Sequence, residues 1–201
     1  PLDKGTILIN NQKINTLKEF ERYKTIGRVY QDPSKGTCPT MTILENMSLA
    51  DNKNRSFNLS WGTNKKRIDY YKELLSQLNL GLEDKLGVKV GLLSGGQRQA
   101  MALLMTTMSP IEILILDEHT AALDPKTAEI IMELTNNIVK KKKITTLMVT
   151  HNLMHALHYG NRLIMMHEGN AIMDLNEQDK KSTSVDNILN VFNKISLERG
   201  N

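Results

Sequence analysis

The stretch "IEILILDEHTAALDP", residues 111–125, decides the fold. Its four consecutive apolar residues, Ile113 to Leu116, suit a parallel strand buried on both faces. The run stops at two carboxylates, Asp117 and Glu118. Pro125 then fits the first position of a helix, where its missing N–H costs nothing, and Asp124 can cap that helix by accepting from its free amides. A second apolar run, "ITTLMVTH" (144–151), predicts another buried strand, and "LMHALHYG" (153–160) a short helix. Strand, helix, strand, helix means an α/β sheet with right-handed crossovers. "RLIMMHE" and "NAIMDL" flank Gly169-Asn170 and read as a hairpin. "SVDNILNVFNKI" closes the chain as an amphipathic helix with Ile188, Val191, Phe192 and Ile195 on one face.

Upstream, "TILI" (6–9) reads as a strand that turns at Asn10-Asn11, and "LKEFERYKTIG" as a helical turn. "GRVY" (27–30) is a brief strand stopping at Gln31-Asp32-Pro33, and Ser34 to Pro39 is loop. From Thr42 to Met108 the pattern is mostly helical; in "KKRIDYYKELLSQLNL" the apolar Ile68, Tyr71, Leu74, Leu75 and Leu78 fall at helical spacing. One domain is predicted over residues 1–201. Residues 40–108 form a helical subdomain inserted into a core made of 1–39 and 109–201.

Composition narrows the function classes. No apolar run approaches the roughly 18 residues of a membrane helix, and no signal peptide is visible. The single cysteine, Cys38, excludes an internal disulfide framework and fits a reducing compartment such as the cytoplasm. The net charge of +4 gathers in Lys65-Lys66-Arg67, Lys140 to Lys143 and Lys180-Lys181. These read as solvated helix ends, where lysine complements the helix dipole. With only 4% aromatic residues the chain lacks platforms for base stacking, so no nucleic-acid partner is expected.

Three strand candidates end in polar residues: Gln31, Asp117-Glu118 and His151. Ligands bind outside the carboxyl ends of the strands in an open parallel sheet. If the three strands are neighbours, these groups converge on one site suited to metal-phosphate hydrolysis. Asp117 offers the hard oxygen that Mg²⁺ prefers, and Glu118 can take a proton from an attacking water. Alone, such a strand-end pair is ordinary solvated surface. His151 ends a buried strand and can contact a terminal phosphate, whereas His155, His158 and His167 read as core or surface histidines.

A second anion site is written in "GLLSGGQRQAMALLMTTM" (91–108). Ser94 and Gln97 fit a capping box, and Gly95 and Gly96 let a ligand approach a helix N-terminus whose amides and dipole favour phosphate. Ala100, Leu103, Leu104, Thr107 and Met108 form the buried stripe behind it, and its methionines are core. Nowhere in the 201 residues is there a G-x-x-x-x-G-K-[ST] loop.

"LLSGGQRQA" resembles the signature motif of ATP-binding cassette (ABC) ATPases. "ILILDE" looks like their Walker B strand, "ALDP" their D-loop, "VTHN" their H-loop and "RVYQDP" their Q-loop, in family order over essentially the whole chain. Among ABC ATPases the chain is most similar to subunits of bacterial amino-acid-type importers, the tryptophan/tyrosine group. The resemblance implies a P-loop NTPase core, a parallel sheet flanked by helices, with an inserted helical subdomain. It implies ATP and Mg²⁺ as cofactors. Gln31 and Asp117 would attend the Mg²⁺, Glu118 would be the general base, and His151 would contact the γ-phosphate. Asp124 would communicate across a dimer. Ser94, Gly95, Gly96 and Gln97 would contact the nucleotide on a partner subunit. The partners implied are a second ATPase subunit, transmembrane permease subunits and a solute-binding protein, with the chain peripheral on the cytoplasmic side of the plasma membrane.

The sequence departs from the family pattern in two places. His119 stands where many relatives have proline. The Walker A loop and the adenine-stacking aromatic, which in the family lie upstream of "GTILIN", are not among these residues. The 201-residue chain is therefore expected to be inactive alone. The rival readings are a soluble ABC ATPase and a non-catalytic fragment lending its signature helix to a partner. Against a repair-type ATPase, only 62 residues separate Gln31 from Ser94, with no sustained heptads.

Overall fold

A computed structural model of the protein describes residues 4–53 and 62–198, with side chains described through residue 193. The chain divides into two units, Pro1–Val149 and Thr150–Asn201.

In the first unit, strands β1 (Leu8–Ile9) and β2 (Gln12–Lys13) form an antiparallel hairpin. Its turn residues, Asn10 and Asn11, have φ of 49° and 62°. Asparagine tolerates this left-handed backbone, which the hairpin turn requires at both positions. A short helix α1 (Glu19–Arg22) leads to β3 (Ile26–Val29). Strands β3, β4 (Ile113–Asp117) and β5 (Thr145–Val149) make a parallel sheet in that order. Val29 pairs with Leu116, and Asp117 with Val149, so the carboxyl ends of all three strands lie at one edge.

Burial in the sheet is less complete than the apolar runs imply. On β4, Leu114 and Leu116 are buried, while Ile113 and Ile115 are half-buried. No residue of β5 is fully buried, and Leu147 is 57% and Val149 48% exposed. The expectation of a strand buried on both faces therefore fails for β5. Among the described residues it pairs with β4 alone.

The connection from β3 to β4 carries the helices α2 (Ile43–Asp51), α3 (Ile68–Ser76) and α4 (Gly95–Met108). Residues 54–61, within the expected helical block, lie outside the described residues. Residues 77–94 are mostly turn, with one 3₁₀ turn at Val90–Leu92, where helix was expected. Asn79 and Gly81, with φ of 54° and 64°, stop the helical run that the apolar spacing of "KKRIDYYKELLSQLNL" extends too far. Ile43, Met47, Tyr71, Leu75, Leu82, Val90 and Met101 form one core with Ile131 of α5 (Pro125–Lys142). Each such side chain contributes about 1.5–3 kcal/mol relative to exposure. Helix α4 is buried over six successive residues, Gln99 to Leu104, rather than along one stripe. It serves two cores at once: Ala100, Met101 and Leu104 face the helical core, while Leu103 packs with Val29, Leu114 and Leu116 of the sheet.

The second unit holds α6 (Leu153–His158), an antiparallel hairpin of β6 (Leu163–His167) and β7 (Asn170–Leu175), α7 (Glu177–Ser182) and α8 (Val185–Glu198). His167 pairs with Asn170, so the turn residues are Glu168 and Gly169, with φ of 46° and 80°, one position earlier than expected. Helix α7 was not anticipated; Asn176 caps it by accepting from the amides of Gln178 and Asp179. On α8, Ile188 is buried but Phe192 is half exposed, and the Ile195 side chain lies outside the described residues.

The lysine clusters are not all solvated. Lys180 is buried, its ammonium donating to the carbonyls of Tyr159 and Gly160, and burial lowers its pKa. Lys142 likewise donates to the Thr107 carbonyl at the end of α4. Both lysines place their charge at or just past a helix C-terminus, where a cation complements the helix dipole. No helix among the described residues is long and apolar enough to cross a membrane.

Candidate functional site

The β3–β4 pairing ends at Val29 beside Leu116, so Tyr30-Gln31 and Asp117-Glu118 are the next residues along two neighbouring parallel strands. The structure thus brings Gln31, Asp117 and Glu118 to one sheet edge. His151 follows the end of β5 by two residues and belongs to the second unit. The Asp117 carboxylate accepts from the Arg28 guanidinium at 2.6 Å. The same guanidinium lies 4.6 Å from the centre of the Tyr30 ring.

Glu118 has φ of 46°, left-handed backbone for a residue with a side chain. Such strain persists only where surroundings impose it, and it gathers at functional sites. Here the Glu118 amide donates to the Val149 carbonyl at 3.0 Å, and its own carbonyl accepts from Ala121 at 2.9 Å. The strand-end backbone therefore turns sharply between the two carboxylates. His119, at the position of the family's proline, is buried, with Nε2 3.2 Å from Thr135 Oγ1 on α5. The Thr135 hydroxyl donates to the Ile131 carbonyl at 2.7 Å. It therefore accepts from His119, which assigns a proton to Nε2 in this pair. The histidine is a strut from the strand end to α5.

Ser94 is exposed and caps α4 as expected: its hydroxyl accepts from the Gln97 amide, and Gln97 Oε1 accepts from the Ser94 amide, both at 3.2 Å. Gln97 Nε2 also donates to the Leu80 carbonyl at 3.2 Å, tying the helix start to the preceding loop. The two glycines differ. A Cβ on Gly96 would lie 2.3 Å from Thr127 Cγ2 of α5, so close helix packing requires this glycine. Gly95 is only partly covered, and a Cβ there would meet Leu123 at an ordinary 3.4 Å. Gly95 lines an open cleft of about 330 Å³ with Gln31, Asp32, Pro33, Arg98 and Leu123. The start of α4 and the end of β3 therefore share one cleft within the first unit.

Capping positions the flanking loops. Asp124 accepts from the Thr127 amide at 3.0 Å, and hydrogen bonding from Thr127, side chain first and backbone second, lowers its pKa. After Gln31, Asp32 accepts from the Ser34 hydroxyl and amide at 2.7 and 2.9 Å. The buried Asn46 then pins the following loop, accepting from the Cys38 amide at 2.8 Å and donating to the Cys38 carbonyl at 3.0 Å.

Sequence reasoning missed two residues here. Gln99, 1% exposed, donates from Nε2 to the Tyr30 carbonyl at 3.1 Å. Its signal was a glutamine two residues after Gln97, at the point where α4 turns apolar, where a buried amide needs a partner. Arg28 was the other. It stands two residues before Tyr30, on the strand face that period-2 alternation sets opposite the buried Val29.

Asp117 and Gln31 carry side-chain oxygens of the hard kind that Mg²⁺ prefers. Asp117 already carries a cationic partner, and Gln31 can add an amide oxygen from the neighbouring strand end. No group of three or more His, Cys, Asp or Glu gathers among the described residues. Mg²⁺ binds by one or two carboxylates, with waters and phosphate oxygens completing its octahedron.

Comparison with known proteins agrees with this geometry. The chain belongs to the ABC transporter family, whose model matches residues 1–121. A tyrosine transport ATP-binding protein of Clostridioides difficile is 48% identical over 188 residues, a match covering 94% of this chain and 74% of that protein. A xylose/arabinose import ATP-binding protein of Sulfolobus acidocaldarius is 30% identical, over 99% of this chain and 76% of its own length. Among solved structures, a dimeric ATP-binding cassette in a post-hydrolysis state with ADP and Pi matches with a TM-score of 0.70 and 29% identity, covering 87% of this chain and 74% of that one. An ABC transporter cassette in its ADP conformation matches with a TM-score of 0.75 and 25% identity, over 94% of this chain and 77% of that one. The protein is thus the ATP-binding, ATP-hydrolysing subunit of an ABC transporter, a family whose cassettes dimerise and work with transmembrane permease components.

Proposed function

We propose that this subunit drives import of an amino acid, using Mg-ATP bound at the strand ends. The observation that supports the reading is the parallel order β3–β4–β5, with Gln31 and the Asp117-Glu118 pair following the carboxyl ends of two neighbouring strands. The tyrosine transport relative, at 48% identity, supports an amino acid over the sugar transported by the relative at 30%. Asp117 and Gln31 would hold the Mg²⁺, which would supply charge neutralisation at the transferring phosphoryl group. Glu118 takes the proton of the attacking water. His151 contacts the γ-phosphate, and Asp124 senses the partner subunit. Residues 40–108 act as the helical subdomain and the remainder of the chain as the catalytic core. The subunit works beneath permease subunits at the cytoplasmic face of the plasma membrane and receives solute from a binding protein.

Two copies pack head to tail, and the exposed Ser94 with Gly95, Gly96 and Gln97 grips the nucleotide of the other copy. The cleft shared by Gln31 and Gly95 favours the competing arrangement within one subunit. A linked dimer of the full-length protein separates the two. One half carries Ser94→Arg and the other Glu118→Gln. If the signature acts across the interface, both lesions fall in one composite site and the other site keeps hydrolysing ATP. If it acts within its own subunit, each site carries one lesion and activity vanishes.

A further inference from the structure

We propose that Arg28 is a stand-in cation for Asp117. Its guanidinium holds the carboxylate at the end of β4 until the metal arrives, and so it sets how tightly the metal is held. The inference rests on the reading of Asp117 as the Mg²⁺ carboxylate and adds a residue to it.

Three observations converge. The first is register. Arg28 pairs with Ile115 in the parallel ladder, so it shares a sheet face with Ile115 and Asp117, opposite the buried Val29 and Leu116. The second is contact. One guanidinium nitrogen reaches Asp117 Oδ2 at 2.6 Å. The third is support. Tyr30, two residues along the same face, places its ring 4.6 Å from the guanidinium carbon. A cation stacked in this way is held in position rather than swinging freely on its stem.

Exposure makes the pair exchangeable. The Arg28 and Asp117 side chains are 42% and 39% exposed, so water and ions reach both. Exposed pairs of this kind change an equilibrium by about two- to fivefold, little enough for a divalent ion to overcome. Until then the arginine offsets the negative charge that would repel an incoming triphosphate. Once the metal is in place, a second positive charge beside Asp117 weakens the metal's hold and eases its release.

The test is Mn²⁺ binding, followed by electron paramagnetic resonance, on the full-length protein with a non-hydrolysable ATP analogue. Arg28→Met and Arg28→Gln should each bind Mn²⁺ about two- to fivefold more tightly than wild type, and Arg28→Lys should stay near wild type. Unchanged or weaker Mn²⁺ binding in both neutral variants overturns the proposal. Asp117→Asn in the same assay separates the two levels. If it leaves Mn²⁺ affinity intact, Asp117 is not the metal carboxylate, and the underlying reading falls together with the Arg28 role. If it weakens binding while the neutral Arg28 variants do not tighten it, the Arg28 role alone falls.

Discussion

The Gln99 side chain of α4 donates to the backbone carbonyl of Tyr30 at 3.1 Å, one residue before Gln31. Together with the Thr106 hydroxyl, which donates to the Arg28 carbonyl at 3.5 Å, this hydrogen bond ties the helix capped by Ser94 to β3 and the residue that follows it. A shift of the signature helix therefore reaches the strand end through a buried contact.

Gln99→Leu keeps the volume and removes the donor. The Tyr30 carbonyl then loses this partner, at a cost of about 1–3 kcal/mol less whatever is regained by removing Gln99 Oε1, which is buried without a hydrogen-bond partner. Denaturant unfolding of the variant should show that loss as a lower midpoint with an unchanged slope. A midpoint equal to wild type would show that the bond contributes nothing.

Gly96→Ala should destabilise the protein even though alanine is the better helix former by roughly 0.5–1 kcal/mol. The new methyl would meet Thr127 Cγ2 at 2.3 Å, and such overpacking costs about 1–3 kcal/mol. Thr127→Ser removes the opposing methyl, so the double variant should recover most of the lost stability. Thermal melts of the four proteins form the cycle. Failure of Thr127→Ser to rescue would mean that Gly96 is required for some reason other than packing.

Local signals made much of this fold legible. The apolar run at Ile113–Leu116, Asp124 before Pro125, and the Ser94–Gln97 box each depend on residues within a few positions. The structure keeps all three. The sheet-edge grouping of Gln31 with Asp117-Glu118 was also readable, because parallel strands joined by helical crossovers end on the same side. What depended on distant pairing was not. Leu147 and Val149 sit in an apolar run and are nevertheless exposed. The Arg28–Asp117 pair spans 89 positions. Lys180 looked like surface because its carbonyl partners, Tyr159 and Gly160, lie 21 and 20 residues away.

Asp124 gives a pH dependence with a definite sign. Its folded-state pKa is lowered by hydrogen bonding from Thr127. A depressed carboxylate contributes stability that is fully present above its unfolded pKa, about 3.9, and is lost as pH falls through the lower folded value. The melting-temperature advantage of wild type over Asp124→Asn should therefore be present at pH 5 and shrink progressively below pH 4. An advantage that grows on acidification would contradict the cap.

The most direct test of the central claim is ATP hydrolysis by the full-length protein carrying Glu118→Gln, measured beside ATP binding. The substitution keeps size and polarity and removes the base at the strained strand end. Turnover should fall about 10²-fold or more while ATP binding persists. Hydrolysis at the wild-type rate would contradict the assignment of Glu118, and with it the chemistry placed at the ends of β3 and β4.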